Sequence, residues 1–124
     1  MPFELQVRPG DKLARIRGFG NDDFASTMAA MRSIAEDARL APGMPILMDV
    51  RELDYLATPP EVSSFASPDS MPALFGGRRL AILCRRGAQF GVARTFAAKV
   101  EAAGVHTEVF TEPDLALQWL KAGR

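Results

Sequence analysis

The chain has one cysteine and one histidine in 124 residues. The lone thiol, Cys84, cannot close an internal disulfide, and a reducing compartment is its simplest home. A single histidine, His106, with no second ligand at metal-binding spacing, leaves no metal site to expect. Excess charge is missing too. Fifteen Lys and Arg are balanced by fifteen Asp and Glu, for a formal net charge of +0. That excludes the phosphate-neutralising surface that non-specific nucleic-acid binding needs, and a polybasic membrane anchor. Long apolar runs are absent: no stretch approaches the ~18 to 20 residues of a membrane span. The first residues carry Glu4 and Arg8 instead of the apolar core of a secretory leader. A cytoplasmic protein that binds no nucleic acid and crosses no membrane is the expectation.

What is there is an ordinary globular balance, 48% hydrophobic and 24% charged. A chain this long buries roughly two-thirds of its unfolded surface, enough for one core. With no repeat, linker or low-complexity tract, residues 1–124 read as a single domain.

Phe3, Leu5 and Val7 alternate with Glu4, Gln6 and Arg8, the pattern of a half-buried strand. Pro9-Gly10-Asp11 is turn chemistry. A second strand from Lys12 to about Gly18 should pair back as an antiparallel hairpin. Gly18-Phe19-Gly20 reads as the strand exit and Asn21 as a helix N-cap. Phe24, Met28, Met31, Ile34, Ala35 and Ala38 recur at helical spacing, predicting a helix to about Leu40. "PILMDV" is a short apolar run of the kind buried on both faces of a parallel sheet, and "RELDYLA" reads as the loop after it. Thr58-Pro59-Pro60-Glu61 is a capping box opening a second helix, interrupted at Ser67-Pro68. Residues 67–78 are rich in breakers and read as irregular. "RRLAILC" is a third buried strand, 87–104 a helix, and "VHTEVF" an alternating edge strand. Thr111-Glu112-Pro113-Asp114 opens a last helix with Leu117 and Leu120 inward.

The fold class that follows is α/β: a five-stranded mixed, mostly parallel sheet, an N-terminal antiparallel hairpin followed by β-α units. Right-handed crossovers make the strands advance in sequential order. Such an advance puts the crossover helices on one face, yet the central strands look buried on both. The last helix, residues 67–78 or a second subunit must cover the other.

Three stretches carry a family resemblance. "ILMDVREL" resembles a strand ending in a hydrophobic-Asp-hydrophobic-Arg pattern. "RRLAILCRRGAQFGVARTFAAKVEAAG" resembles a strand followed by a helix with Phe-Gly-x-Ala-Arg, here Phe90, Gly91, Ala93 and Arg94. "VHTEVFTEPDLALQWL" resembles the closing strand and helix, with Phe110, Ala116, Trp119 and Leu120. With the hairpin, these resemble the SpoIIAA-like family of STAS/SEC14-like domains over nearly the whole chain except 67–78. The resemblance implies two functional analogies. STAS domains act as protein-interaction regulators, some switched by phosphorylation of a serine at the start of the helix after a central strand. The matching region, 49–61, lacks their Asp-Ser-Ser-Gly-like run and leaves Thr58 as the possible phosphoacceptor. SEC14-type domains bind lipids in an apolar cavity.

Residues that would carry chemistry gather at the carboxyl ends of the parallel strands, where ligands collect in such sheets. Arg51, Arg85, Arg86 and Gln89 would form an anion-binding rim there, since guanidinium matches phosphate and carboxylate geometry. The alternative is that Arg85 and Arg86 are solvated and Arg51 pairs with Asp49, Glu52 or Asp54. Gly18-x-Gly20 lacks the third glycine of a dinucleotide fingerprint. Cys84 stands beside two arginines that would depress its pKa, but His106 belongs at the opposite end of the next strand, so no thiol-imidazole pair is expected. Gly91 within a helix suggests close helix–sheet packing. Met71, Leu74 and Phe75, apolar among breakers, would form a lid or partner-binding patch, or simply cover the sheet.

No catalytic residue and no cofactor is expected. The leading expectation is a non-enzymatic regulatory or protein-interaction domain, homodimeric, with a protein partner. The alternative is a small-ligand-binding domain: an anionic metabolite at the arginines, or an apolar or lipid ligand under the 67–78 segment.

Overall fold

The computed structural model describes residues 2–123. Ten elements follow one another: β1 (Phe3–Gln6), β2 (Ala14–Asn21), α1 (Phe24–Ala35), β3 (Ile46–Asp54), α2 (Pro59–Phe65), α3 (Met71–Phe75), β4 (Arg79–Leu83), α4 (Ala88–Ala102), β5 (His106–Phe110) and α5 (Pro113–Ala122). The sheet order is β1-β2-β3-β4-β5, as expected, with β1 antiparallel to β2 and the remaining pairs parallel.

The two faces are covered unequally. Alternation along the strands sends Ile16, Ile46, Met48, Leu80 and Ile82 to one side, where they form the main core with α1, α2, α3 and α4. That is the side sequential right-handed crossovers dictate. Leu47, Ala81 and Leu83 point the other way and pack under Ala116 and Leu120 of α5. The last helix is therefore what buries the second face of the central strands. Its contacts are with β3, β4 and β5, and the outer face of β1–β2 is polar, with Arg17 paired to Glu4 and Glu52.

Several boundaries move. "RELD" is strand, not loop: β3 runs on to Asp54 beside Phe19–Asn21 of β2. Between Arg17–Asp49 and Phe19–Glu52 the register shifts, so Val50 and Arg51 oppose Gly18 alone. Such a bulge inverts the alternation. Leu53 thereby returns to the core and Glu52 to the outer face. Gly18 is strand too, and needs to be glycine: a Cβ there would lie 2.8 Å from the Phe3 ring. Asn21 consequently belongs to β2, and the α1 cap is Asp23, whose carboxylate accepts from the Ser26 amide at 2.8 Å. The helix ends at Ala35, not Leu40. The capping box at Thr58 and Glu61 forms as read.

Residues 67–78 are not wholly irregular. They hold the one-turn helix α3 with Pro72 in its first turn, where a missing N–H costs nothing. Met71 and Phe75 point inward, 4% and 1% exposed, so neither side chain is available surface; Leu74 is half-buried against the same core. Gly91 is exposed, and a Cβ there would meet nothing within 4 Å. Close packing is therefore not the reason for that glycine.

Candidate functional site

Consider first the strand-end rim. Strand β4 stops pairing with β3 at Asp49–Leu83, but β3 continues. Its carbonyls beyond that point would lack partners on the β4 side. Side chains take the place of the missing strand: Gln89 Nε2 donates to the Val50 carbonyl at 2.7 Å, and Arg85 Nη1 donates to the Arg51 carbonyl. Gln89 Oε1 accepts the Arg85 amide at 2.6 Å, closing the bridge. The structure thus brings Arg51, Arg85 and Gln89 together, as backbone partners. The Arg51 guanidinium itself holds Asp49, with Nη2 to Oδ2 at 2.8 Å and Nε to Oδ1 at 3.0 Å. Partial burial pushes the Asp49 carboxyl up, but the hydrogen bonds from Arg51 outweigh it and keep it below its ordinary value. Arg86 stands apart, highly exposed, 3.9 Å from Glu112.

The other candidates are distributed elsewhere. Thr58 is exposed, and its hydroxyl accepts the Glu61 amide at 3.4 Å as the cap of α2. Cys84 is 1% exposed, and burial raises its thiol pKa against the smaller opposing effect of Arg85, the reverse of the depression its neighbours suggested. His106 opens β5 opposite Arg79 and pairs through Nδ1 with Glu101 at 2.7 Å. Cys84 follows the other end of the ladder, after Leu83–Phe110. Among the described residues no group of three or more His, Cys, Asp or Glu is arranged around a common metal position.

The cavity lies on the opposite side of Gln89, between the core face of the sheet and helices α1, α2 and α4. It holds about 120 Å³ and is lined almost entirely by apolar side chains. Met48, Val50, Leu53 and Ile82 form the floor, and Val62, Phe65, Val92 and Phe96 the roof. Met71 of α3 lines it, whereas Leu74 and Phe75 do not. The bulge makes the cavity possible by returning Leu53 to this face. The β3–α2 connection, Tyr55-Leu56-Ala57, borders it, with Leu56 50% exposed.

Three lining groups are polar: Thr27, Tyr55 and Gln89. Gln89 commits its carbonyl and one N–H to the strand bridge. Thr27 Oγ1 donates to Asp22 at 2.5 Å, and the Tyr55 hydroxyl donates to Glu61 at 3.1 Å. Burial raises the Tyr55 phenol above its ordinary pKa, and the hydrogen bond to Glu61 and the carboxylates of Glu61, Asp22 and Asp23 raise it further. Phe65 meets the Phe24 ring at a tilt, centroids 4.6 Å apart, and the Tyr55 and Phe96 rings edge-to-face at 6.5 Å each, and so ties α1, α2 and α4 together beside the cavity.

With sheet order and cavity in view, the comparison with solved structures is decisive for the fold. An uncharacterized protein of the DUF3478 family with a SpoIIAA-like fold, from Shewanella loihica PV-4, superposes with a TM-score of 0.56. The alignment covers 95% of this chain and 91% of that one, at 18% identity. This chain has a SpoIIAA-like fold. No family model matches it, and no curated protein matches it. No described helix of this SpoIIAA-like chain is long and apolar enough to cross a membrane.

The cavity residues Tyr55, Leu56, Val62, Val92 and Phe96 escaped the reading of the sequence as site residues. Two signals were present. Leu56 is a large hydrophobe in the short connection between β3 and α2. Val92 and Phe96, four apart, widen the apolar arc of α4 beyond Phe90, Ala93, Ala97 and Val100.

Proposed function

We propose that this SpoIIAA-like chain is a cytoplasmic ligand-binding domain that holds a small apolar molecule between its sheet and helices α2 and α4, without chemistry of its own. The observation that carries this reading is the apolar cavity of about 120 Å³ bordered by the exposed Leu56. An apolar cavity of roughly 150 Å³ stays dry and takes up benzene. The space here suits one aromatic ring or a short alkyl chain, not a whole lipid. The lone free Cys84 supports the cytoplasmic setting. The anion reading has less support, because Asp49 already neutralises Arg51 and Arg85 is engaged with the β3 backbone.

The test is a titration of ethylbenzene followed by NMR. Saturable shifts confined to Val50, Val62, Val92 and their neighbours support the pocket. No shift at the solubility limit, or shifts confined elsewhere, would overturn it.

A regulatory role through protein contact is the second reading. What favours it is Leu115, 53% exposed on the outer side of α5. A homodimer through that helix predicts that Leu115→Glu lowers the sedimentation coefficient; an unchanged monomer removes it.

A further inference from the structure

The polar edge of the cavity discriminates among apolar ligands, and this inference rests on the pocket proposed above. The structure points to a small hydrophobic amine as occupant, which we propose binds with its hydrocarbon in the cavity and its ammonium at the Thr27–Tyr55 edge.

Two observations carry this. The first is hydrogen-bond polarity. Both hydroxyls that line the cavity have their single proton committed outward, Thr27 to Asp22 and Tyr55 to Glu61. An ionised carboxylate only accepts, so the hydroxyls must be the donors. What remains to them is acceptor capacity. The third polar group, Gln89, accepts the Arg85 amide on its carbonyl and donates one of its two N–H groups to Val50. A ligand that brings N–H donors is matched at this edge. At the two hydroxyls a ligand that brings a carboxylate would set acceptor against acceptor.

The second is charge. Glu61, Asp22 and Asp23 all act on the Tyr55 phenol. No residue lining the cavity is charged. Asp22 and Glu61 stand one hydrogen bond behind the lining, so an ammonium at the edge meets two carboxylates without either being buried in the apolar space. Charge-assisted contacts of this kind are stronger than neutral ones, and partial screening by water at the mouth makes the preference salt-dependent.

The experiment compares three probes with one phenyl ring and different polar ends: 2-phenylethylamine, ethylbenzene and 3-phenylpropionate. Binding is measured at neutral pH by NMR titration against the wild-type chain, Glu61→Gln and Asp22→Asn. Glutamine at 61 preserves the capping box, and asparagine at 22 can still accept from Thr27, so both variants should fold. The amine is expected to bind at least tenfold more tightly than ethylbenzene, with 3-phenylpropionate weakest. The gap between amine and ethylbenzene should shrink severalfold in each variant and in high salt. If ethylbenzene matches the amine, if the propionate binds best, or if the gap survives both substitutions, the amine assignment is overturned while the apolar pocket stands. If none of the three probes binds, the pocket reading falls and the amine assignment with it.

Discussion

Gln89 and Val50 are joined across the end of the sheet, the side-chain amide of one 2.7 Å from the backbone carbonyl of the other, with the Arg85 amide on Gln89 Oε1 at 2.6 Å. One buried side chain thus replaces a strand that has stopped, on the wall of the apolar cavity. Gln89→Leu leaves both backbone groups without that partner. A buried polar group left unpaired costs ~1 to 3 kcal/mol, so with two such groups the substitution should destabilise by about 2 to 6 kcal/mol. Urea unfolding monitored by the single Trp119 measures it. A midpoint equal to wild type would show that water replaces the bridge freely.

The only tyrosine in the chain gives a clean alkaline readout. Burial, reinforced by the hydrogen bond to Glu61, raises the Tyr55 phenol above 10 in the folded state. The sign follows. Below the unfolded pKa of ~10 both states are protonated and the contribution is intact. Above it the unfolded chain loses a proton that the folded chain keeps, so stability falls as pH rises. Tyrosinate absorbance should therefore stay flat through pH 10 and appear together with the loss of tertiary signal. An ordinary titration near pH 10 in the folded protein would contradict the buried, carboxylate-facing phenol.

Gly91 lies within α4, exposed, with nothing that an added Cβ would touch. Alanine there removes backbone freedom from the unfolded chain and introduces no clash. Gly91→Ala should stabilise by about 0.5 to 1 kcal/mol, read as a higher urea midpoint. A lower midpoint would mean that the helix approaches another surface at this position after all.

Ala93 lines the cavity from α4 and is 8% exposed. Ala93→Leu places a larger apolar side chain in the space a ligand would take. Ethylbenzene affinity should drop at least tenfold. Stability should change by less than about 2 kcal/mol, since an unfilled apolar space accepts added carbons with less strain than a packed one. Unchanged affinity would place the ligand elsewhere.

On the acid side, Asp37 is held down to about 2, first by the Arg39 side chain and then by its backbone amide. A depressed carboxylate contributes above its unfolded pKa of ~4 and loses that contribution as pH falls toward the folded value. The expected effect is a slope in stability between about pH 4 and 2 that Arg39→Ala flattens. The same slope in Arg39→Ala would assign it to other carboxylates.

The order of elements, the hairpin and the sequential sheet were legible because each rests on local chemistry. Alternation in Phe3-Leu5-Val7, the apolar runs ending at Val50 and Cys84, and the Thr58–Glu61 box declare their roles within a few residues. The extension of β3 was not legible, because a bulge places Arg51 and Glu52 on consecutive exposed positions and so erases the period of two. Of the rim residues, Arg51, Arg85 and Gln89 meet at the strand ends and Arg86 does not. Whether a guanidinium faces solvent, Asp49 or a bare strand edge depends on where β4 stops relative to β3, a register no local pattern records. For Met71 and Phe75 the sequence left a lid, a partner patch and a cover for the sheet open; the fold buries both in the main core, against elements far away in sequence. The sequence by itself therefore determined the elements and their order, through backbone propensities and apolar periodicity. Only the tertiary structure decided the site, because a cavity is the volume left between Leu53, Val62 and Val92 once distant elements have packed.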